Sequence, residues 1–174
     1  MSRKYDSIKG SALKDVSEFM CIAARTAPKA KGQDNLVIIT LDKKDTKSVI
    51  SRMKKIGKNE NRPGCLRDAE NIKHADVIVV IGTQKAPLGL NCGFCGYPTC
   101  KALTKAGGVC SYNALDLGIA LGSAASVASH FHADNRLMYS IGKAAIEEGL
   151  MDKCVMAIGI PLSASGKNPF FDRN

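Results

Sequence analysis

The chain has 174 residues, 45% hydrophobic and 24% charged, enough to bury a core without a disulfide framework. No run approaches the roughly 20 uncharged apolar residues of a membrane span, and Met1-Ser2-Arg3-Lys4-Tyr5-Asp6 leads into no apolar signal region, so a cytoplasmic protein with no membrane role is expected. The formal charge of +9 permits an anionic partner, but pairs such as Lys43-Lys44 and Lys54-Lys55 are scattered and aromatics are only 5%, so the basic residues read as a solvated face rather than a nucleic-acid surface.

Leu13, Val16, Met20, Ala23 and Ala24 recur at three- and four-residue steps and predict a helix over Ser11 to Ala24, with Ser11 as its N-cap. It stops near Ala27-Pro28, and residues 29–35 follow as an exposed loop. The unbroken apolar run Leu36-Val37-Ile38-Ile39-Thr40-Leu41 reads as a central strand buried on both faces. Asp45 is expected to cap a polar helix through Val49, Met53 and Ile56 to Gly57, and a second helix follows Pro63-Gly64. Val77 to Ile81 is a second strand, so the order of elements implies a sheet flanked by helices. The segment Gly82 to Ser111 then holds four of the seven cysteines and six glycines, the density of a loop built around something. Ala114 to Ser129 is a helix of small residues, whose Gly118 and Gly122 would let another backbone or a flat ligand approach. Asp134 should cap a helix carrying Leu137, Ile141, Ala144 and Ala145 and ending at Gly149, and Cys154 to Ile158 is a third strand. There is no repeat or linker, so residues 1–174 are expected to form one domain with a cysteine-rich metal- or cluster-binding segment at 91–110.

Asn91-Cys92-Gly93-Phe94-Cys95-Gly96-Tyr97-Pro98-Thr99-Cys100 places three thiols within nine residues, and Cys110 lies ten further on. The odd cysteine count suits a reducing compartment, where thiols bind metal or stay free. Four cysteines suffice for an iron–sulphur cluster or for one zinc ion. A cluster needs converging thiolates and nearby backbone amides, which a glycine-bearing loop supplies. Structural zinc more often takes two separated Cys-x-x-Cys knuckles, and here there is one; His130 and His132 have no cysteine beside them. Cys110 is the fourth ligand favoured by spacing, with Cys65 or Cys154 as substitutes brought near by folding. Cys21 and Cys154 otherwise read as small hydrophobes in apolar runs, and Cys65 as structural. Tyr97 and Tyr112 flank the thiols, where they would pack in the core or shield a cluster. No nucleophile elbow or dinucleotide fingerprint is present.

The segment Cys92, Gly93, Cys95, Gly96 and Cys100 resembles the Cys-Gly-x-Cys-Gly-x-x-x-Cys pattern of the four-iron cluster domains of corrinoid iron–sulphur proteins. Most of the remaining chain is similar to a family of small uncharacterised prokaryotic "ferredoxin domain" proteins, through Ala24 to Gly32, the cysteine segment, Asp116 to Ala124, Gly159 to Pro161 and Asn168 to Arg173. A more distant likeness, carried by Ala23 to Pro28, Gly118 to Ala124 and Gly159 to Pro161, is to FMN-dependent nitroreductases. It implies an α+β fold, α/β-like, with a central sheet flanked by helices and the cysteine-rich loop as an insertion, and it implies a homodimer. It also implies an FMN phosphate held by basic residues near both ends of the chain, for which Arg25, Lys29 and Lys31 at one end and Lys167 and Arg173 at the other are the candidates. The family's early Arg-Arg-Ser-x-Arg motif is absent, with Ser2-Arg3-Lys4 in its place, and Gln33 and Asn35 are out of register with its Asn and Gln.

These readings converge on a redox protein with an iron–sulphur cluster, of [4Fe–4S] type by resemblance, on Cys92, Cys95, Cys100 and Cys110, exchanging electrons with a bound flavin or with a partner that the sequence does not identify. Any enzymatic activity would be that of a flavin- or iron–sulphur-dependent oxidoreductase. The alternatives are a binding module with a basic surface, metal-free or fastened by zinc, and a flavin reductase without a cluster.

Overall fold

The computed structural model describes residues 3–171. A four-stranded sheet, β1 (Leu36–Leu41), β2 (Val77–Gln84), β3 (Asp134–Asn135) and β4 (Cys154–Ser163), has the spatial order β1-β2-β4-β3. All pairs are antiparallel. Two helices in succession, α2 (Lys43–Asn59) and α3 (Pro63–Asn71), join β1 to β2. A single helix would carry the chain back to the far end of the sheet, whereas two return it to the end it left, and Leu41 accordingly stands across from Ile78.

Alternation along β2 divides the core. Val79 and Ile81 pack on one face with Leu13, Val16, Met20 and Ala24 of α1 (Tyr5–Thr26) and with Leu117, Ala120, Leu121 and Ala124 of α5 (Ser111–His130). Ile78 and Val80 pack on the other with Met53 and Ile56 of α2, Ala69 of α3, and Ile141, Ala144 and Ala145 of α6 (Tyr139–Glu147). α6 lies tight on β4: a methyl group at Gly142 would stand 1.8 Å from the Ala157 carbonyl oxygen. The tail is anchored by Phe170, fully buried, whose carbonyl accepts hydrogen bonds from Asn71 Nδ2 (3.3 Å) and Arg136 Nη1 (2.9 Å).

Several expected boundaries are corrected. The run Leu36–Leu41 is an edge strand, not a central one: it pairs with β2 alone, and its interior residues are only partly buried or exposed. α1 begins at Tyr5, so Ser11 lies inside it, its hydroxyl donating to the Ile8 carbonyl (3.0 Å) rather than capping. The cap of α2 is Asp42, whose Oδ1 accepts from the Asp45 amide at 2.7 Å. Asp134 belongs to the short strand β3, opposite Ser163, and α6 starts five residues later. Gly149 does end α6, at a φ of +75°, with its amide on the Ile146 carbonyl and that of Leu150 on Ala145, the paired bonds of a Schellman motif. His132 fills the same position after α5 at a φ of +56°, which gives this histidine a backbone role. No helix among the described residues is long and apolar enough to cross a membrane.

Candidate metal centre

Beyond β2 the chain leaves the sheet and winds through residues 85–99 before α4 (Cys100–Lys105), a six-residue helix that the glycine density of the segment concealed from the sequence reading. Leu88, Leu103 and Cys110 form a small separate core, with Cys95, Tyr97 and Tyr112 packed against it. The two tyrosines therefore both pack and line the recess described next.

Cys92, Cys95, Cys100 and Cys110 all line one recess, together with Leu88, Leu90, Asn91, Gly93, Tyr97, Ser111 and Tyr112. The recess is narrow, with about 10 Å³ of open space, room for about one water. Cys92 lies at the exposed rim, Cys95 and Cys100 are half-buried, and Cys110 is buried. Among the described residues, no three Cys, His, Asp or Glu side chains stand together as the donor set of a single metal ion.

Local chemistry explains why these thiols meet. Gly93 and Gly96, which each follow a cysteine, have φ of +76° and +81°, and the Gly96 amide closes a turn onto the Gly93 carbonyl at 2.9 Å, carrying Cys95 on the bend. Asn91 holds the two ends of the loop: its Oδ1 accepts from the Cys100 amide at 2.8 Å, and its own amide donates to Cys100 Sγ at 3.4 Å. Thr99 caps α4 by accepting from the Ala102 amide at 3.1 Å. Gly107, at a φ of +72°, ends it in another Schellman motif, and Lys85 Nζ donates to the Gly107 carbonyl. Cys110 is the N-cap residue of α5, at the positive end of a 20-residue helix.

The recess is buttressed by distant segments. The Ala30 amide donates to Asp116 Oδ1 on α5 (3.1 Å), Lys31 Nζ to the Leu88 carbonyl (3.1 Å) and the Ala86 amide to Asn113 Oδ1 (3.2 Å). Asn91, Asp116 and Asn113 were missed in the sequence. The available signal was a carboxylate and an amide in an otherwise small and apolar helix, which have to be matched by partners when buried.

The remaining cysteines lie elsewhere. Cys65 and Cys154 belong to the core beneath α2, α3 and α6, and Cys21 packs against the α1–α5 core. Burial pushes the thiols of Cys21 and Cys154 up from the ordinary value.

The basic candidates fall into two groups. Arg25 Nη1 donates to Asp34 Oδ2 (2.6 Å) and the Leu36 carbonyl (3.1 Å). Lys29, its side chain 6% exposed, turns back to the carbonyls of Ala24 (3.1 Å), Arg25 and Ala27 (2.9 Å). Both are fasteners of the end of α1 to the start of β1, with Asp34 between them. Burial raises the Asp34 carboxyl, but the Arg25 hydrogen bond, the Leu36 amide and the charges of Arg25 and Lys29 outweigh it and hold the group below the ordinary carboxylate value. Lys31 is exposed and tied to Leu88, Lys167 lies in the tail after β4, and Arg173 falls outside the described residues.

A protein of Archaeoglobus fulgidus described only as uncharacterized is 37% identical over 174 residues, which cover 95% of this chain and 94% of the relative. Residues 106–173 match the family model "Uncharacterized protein containing a ferredoxin domain (DUF2148)". The chain belongs to this ferredoxin-domain family. Of the four recess cysteines, the matched stretch includes Cys110, the other three preceding it. Among solved structures, the ferredoxin-domain chain is similar to a nitroreductase of Desulfitobacterium hafniense with bound FMN, at a TM-score of 0.60 and 13% identity over 88% of this chain and 78% of that one. It is also similar to the nitroreductase CinD of Lactococcus lactis in complex with nicotinic acid, at 0.60 and 14% over 91% and 84%. These likenesses show the fold: the α+β, nitroreductase-like architecture, with the cysteine segment inserted between β2 and α5.

Proposed function

We propose that this member of the ferredoxin-domain family is a one-electron redox protein, residues 1–174 forming one domain in which Cys92, Cys95, Cys100 and Cys110 hold an iron–sulphur cluster. The observation that carries the reading is that four thiols from three local elements line one recess, whereas the other three cysteines are built into the main core. The donor set fits the group. Thiolates are the ligands that iron–sulphur clusters take, and four of them line the recess with no histidine among its walls. A [4Fe–4S] cluster matches the count of four.

The cluster would supply a site that stores and releases single electrons. The chain supplies the surroundings. A thiolate-bound cluster is net negative, and residues 77–115 contain no Asp or Glu while Cys110 sits at the N-terminus of α5. Glycines 93 and 96 leave backbone amides unscreened by side chains, and Tyr97 and Tyr112 keep water from the inner wall.

A flavin as second redox group is supported by the FMN-bound fold neighbour. Arg25 and Lys29 suit its phosphate poorly because their donors are engaged by Asp34 and by carbonyls of α1. The other candidates are Lys31, which donates to the Leu88 carbonyl but is exposed, and Lys167 and Arg173 near the C-terminal end. A second copy of the chain would cover the outer faces of α1 and α5, where Phe19, Ile22, Leu115 and Ile119 are exposed beside the bare Gly118 and Gly122.

The test is spectroscopic. Protein purified without oxygen should be brown, should bleach on addition of a one-electron reductant, and should then show the paramagnetic resonance of a reduced cluster. A colourless protein holding zinc would transfer the reading to a zinc-fastened module, and a yellow protein without iron to a flavin reductase.

A further inference from the structure

Lys101 and Lys105 lie one turn apart on α4, and Lys85 reaches the Gly107 carbonyl at the end of the same helix, so three ammonium groups gather around one six-residue element. All three are exposed. Two lysines at this spacing repel one another, and neither has an acidic partner among the described residues. Some other surface lysines are paired, Lys54 and Lys73 with Glu70, Lys143 with Glu60 and Glu147, and Lys9 with Asp76, while Lys47 and Lys58 of α2 are unpaired among the described residues on a helix that also carries Asp45. What sets the lysines of α4 apart is that they lie in a 39-residue stretch, residues 77–115, without a carboxylate.

The patch adjoins the exposed side of the cysteine recess. Lys101 directly follows Cys100, and Cys92 is the one recess thiol classed with the exposed surface, next to Leu90 and to Phe94, which is 74% exposed. An electron would pass most directly through this rim, since Cys110 faces inward.

We infer that the Lys85–Lys101–Lys105 patch is the docking surface for an acidic one-electron carrier protein, an inference that rests on the cluster reading above. Charge complementarity selects this occupant. A second copy placed symmetrically on the patch would bring the same lysines face to face, whereas a carrier with a carboxylate-rich surface would be steered to it and held over Cys92. In the exchange, one electron leaves the reduced carrier and enters the oxidised cluster, or the reverse; no bond is made or broken and no proton need move.

The experiment uses the full-length, cluster-loaded protein and a fluorescently labelled acidic [2Fe–2S] ferredoxin, with affinity read by anisotropy at about 10 mM and about 1 M salt, where charges are screened over roughly 30 and 3 Å. Wild type should bind at least about tenfold more tightly than the Lys101→Glu/Lys105→Glu variant at low salt, and the difference should vanish at high salt. Cluster absorbance and reduction by a small chemical reductant should be the same in both, which separates docking from folding. Equal affinities at low salt, or binding indifferent to salt, would overturn the inference. So would a changed oligomeric state of the variant in sedimentation, which would make the patch a self-contact, or equally tight binding of a nucleic-acid duplex. Absence of a cluster from the wild type would instead defeat the underlying reading.

Discussion

Gly142→Ala puts a methyl group where the backbone of β4 already stands: its Cβ would lie 1.8 Å from the Ala157 oxygen, 2.1 Å from the Ala157 carbonyl carbon and 2.6 Å from the Ile158 nitrogen. Ordinary contacts begin near 3.4 Å, so α6 would have to lift by more than an ångström or β4 would have to bend. Overpacking of this kind costs about 1–3 kcal/mol, and the upper end applies because backbone, not a flexible side-chain tip, must move. Replacing glycine by alanine inside a helix returns about 1 kcal/mol, leaving a net loss of about 2 kcal/mol. For a chain of this size that lowers Tm by roughly 4–8 °C. Gly10→Ala is the control: Gly10 lies in α1 with nothing within 4 Å of its added methyl, and that variant should gain about 0.5–1 kcal/mol. Calorimetry or circular dichroism melts of both variants read the difference. A Gly142→Ala protein as stable as wild type, with Gly10→Ala behaving as described, would refute the close seating of α6 on β4.

Asn91→Ala removes the acceptor of the Cys100 amide and should hasten iron loss in air while leaving the melting of the main core within about 1 °C, measured by absorbance decay and by circular dichroism. Asp34→Asn tests the fastening of α1 to β1. Because the folded carboxyl titrates below its unfolded value, its stabilisation is fully present above about pH 4 and is lost as pH falls through the lower folded pKa. The wild type should therefore exceed the variant by up to about 1 kcal/mol at pH 7, the difference narrowing as pH falls through the lowered folded pKa, in urea melts. Ile22→Glu combined with Ile119→Arg should shift sedimentation toward the monomer while retaining the fold, since both side chains lie on the exposed faces of α1 and α5; an unchanged sedimentation coefficient would remove those faces from the proposed dimer.

The β-branched runs at residues 36–41 and 77–81 identified two strands because such residues suit a pleated, buried backbone, yet they did not reveal that β1 lies at an edge, which depends on what pairs beside it. The terminators were readable where glycine stood, as at Gly149, and unreadable where His132 took the same left-handed position. Asp45 and Asp134 looked like caps because their residue type favours that role, but only one acidic residue can occupy the junction, and at α2 it is Asp42. The cysteine spacing gave the local half of the candidate site. The bond from Ala30 to Asp116, 86 residues away, and that from Lys31 to Leu88, 57 away, lay beyond any local pattern, and they place the loop after α1 against the recess. The same fold places Cys65 and Cys154 in the core beneath α2, α3 and α6, whereas Cys110 lines the recess with the other three thiols.

The central claim is tested most directly by counting iron and acid-labile sulphide in protein purified without oxygen, for the wild type and for Cys92→Ser, Cys95→Ser, Cys100→Ser and Cys110→Ser individually, with Cys21→Ser and Cys154→Ser as controls. The account predicts about four iron and four sulphide per chain in the wild type and both controls, and a loss of at least half in each recess variant. Iron below about one per chain in the wild type, or equal retention in the recess and control variants, would contradict it.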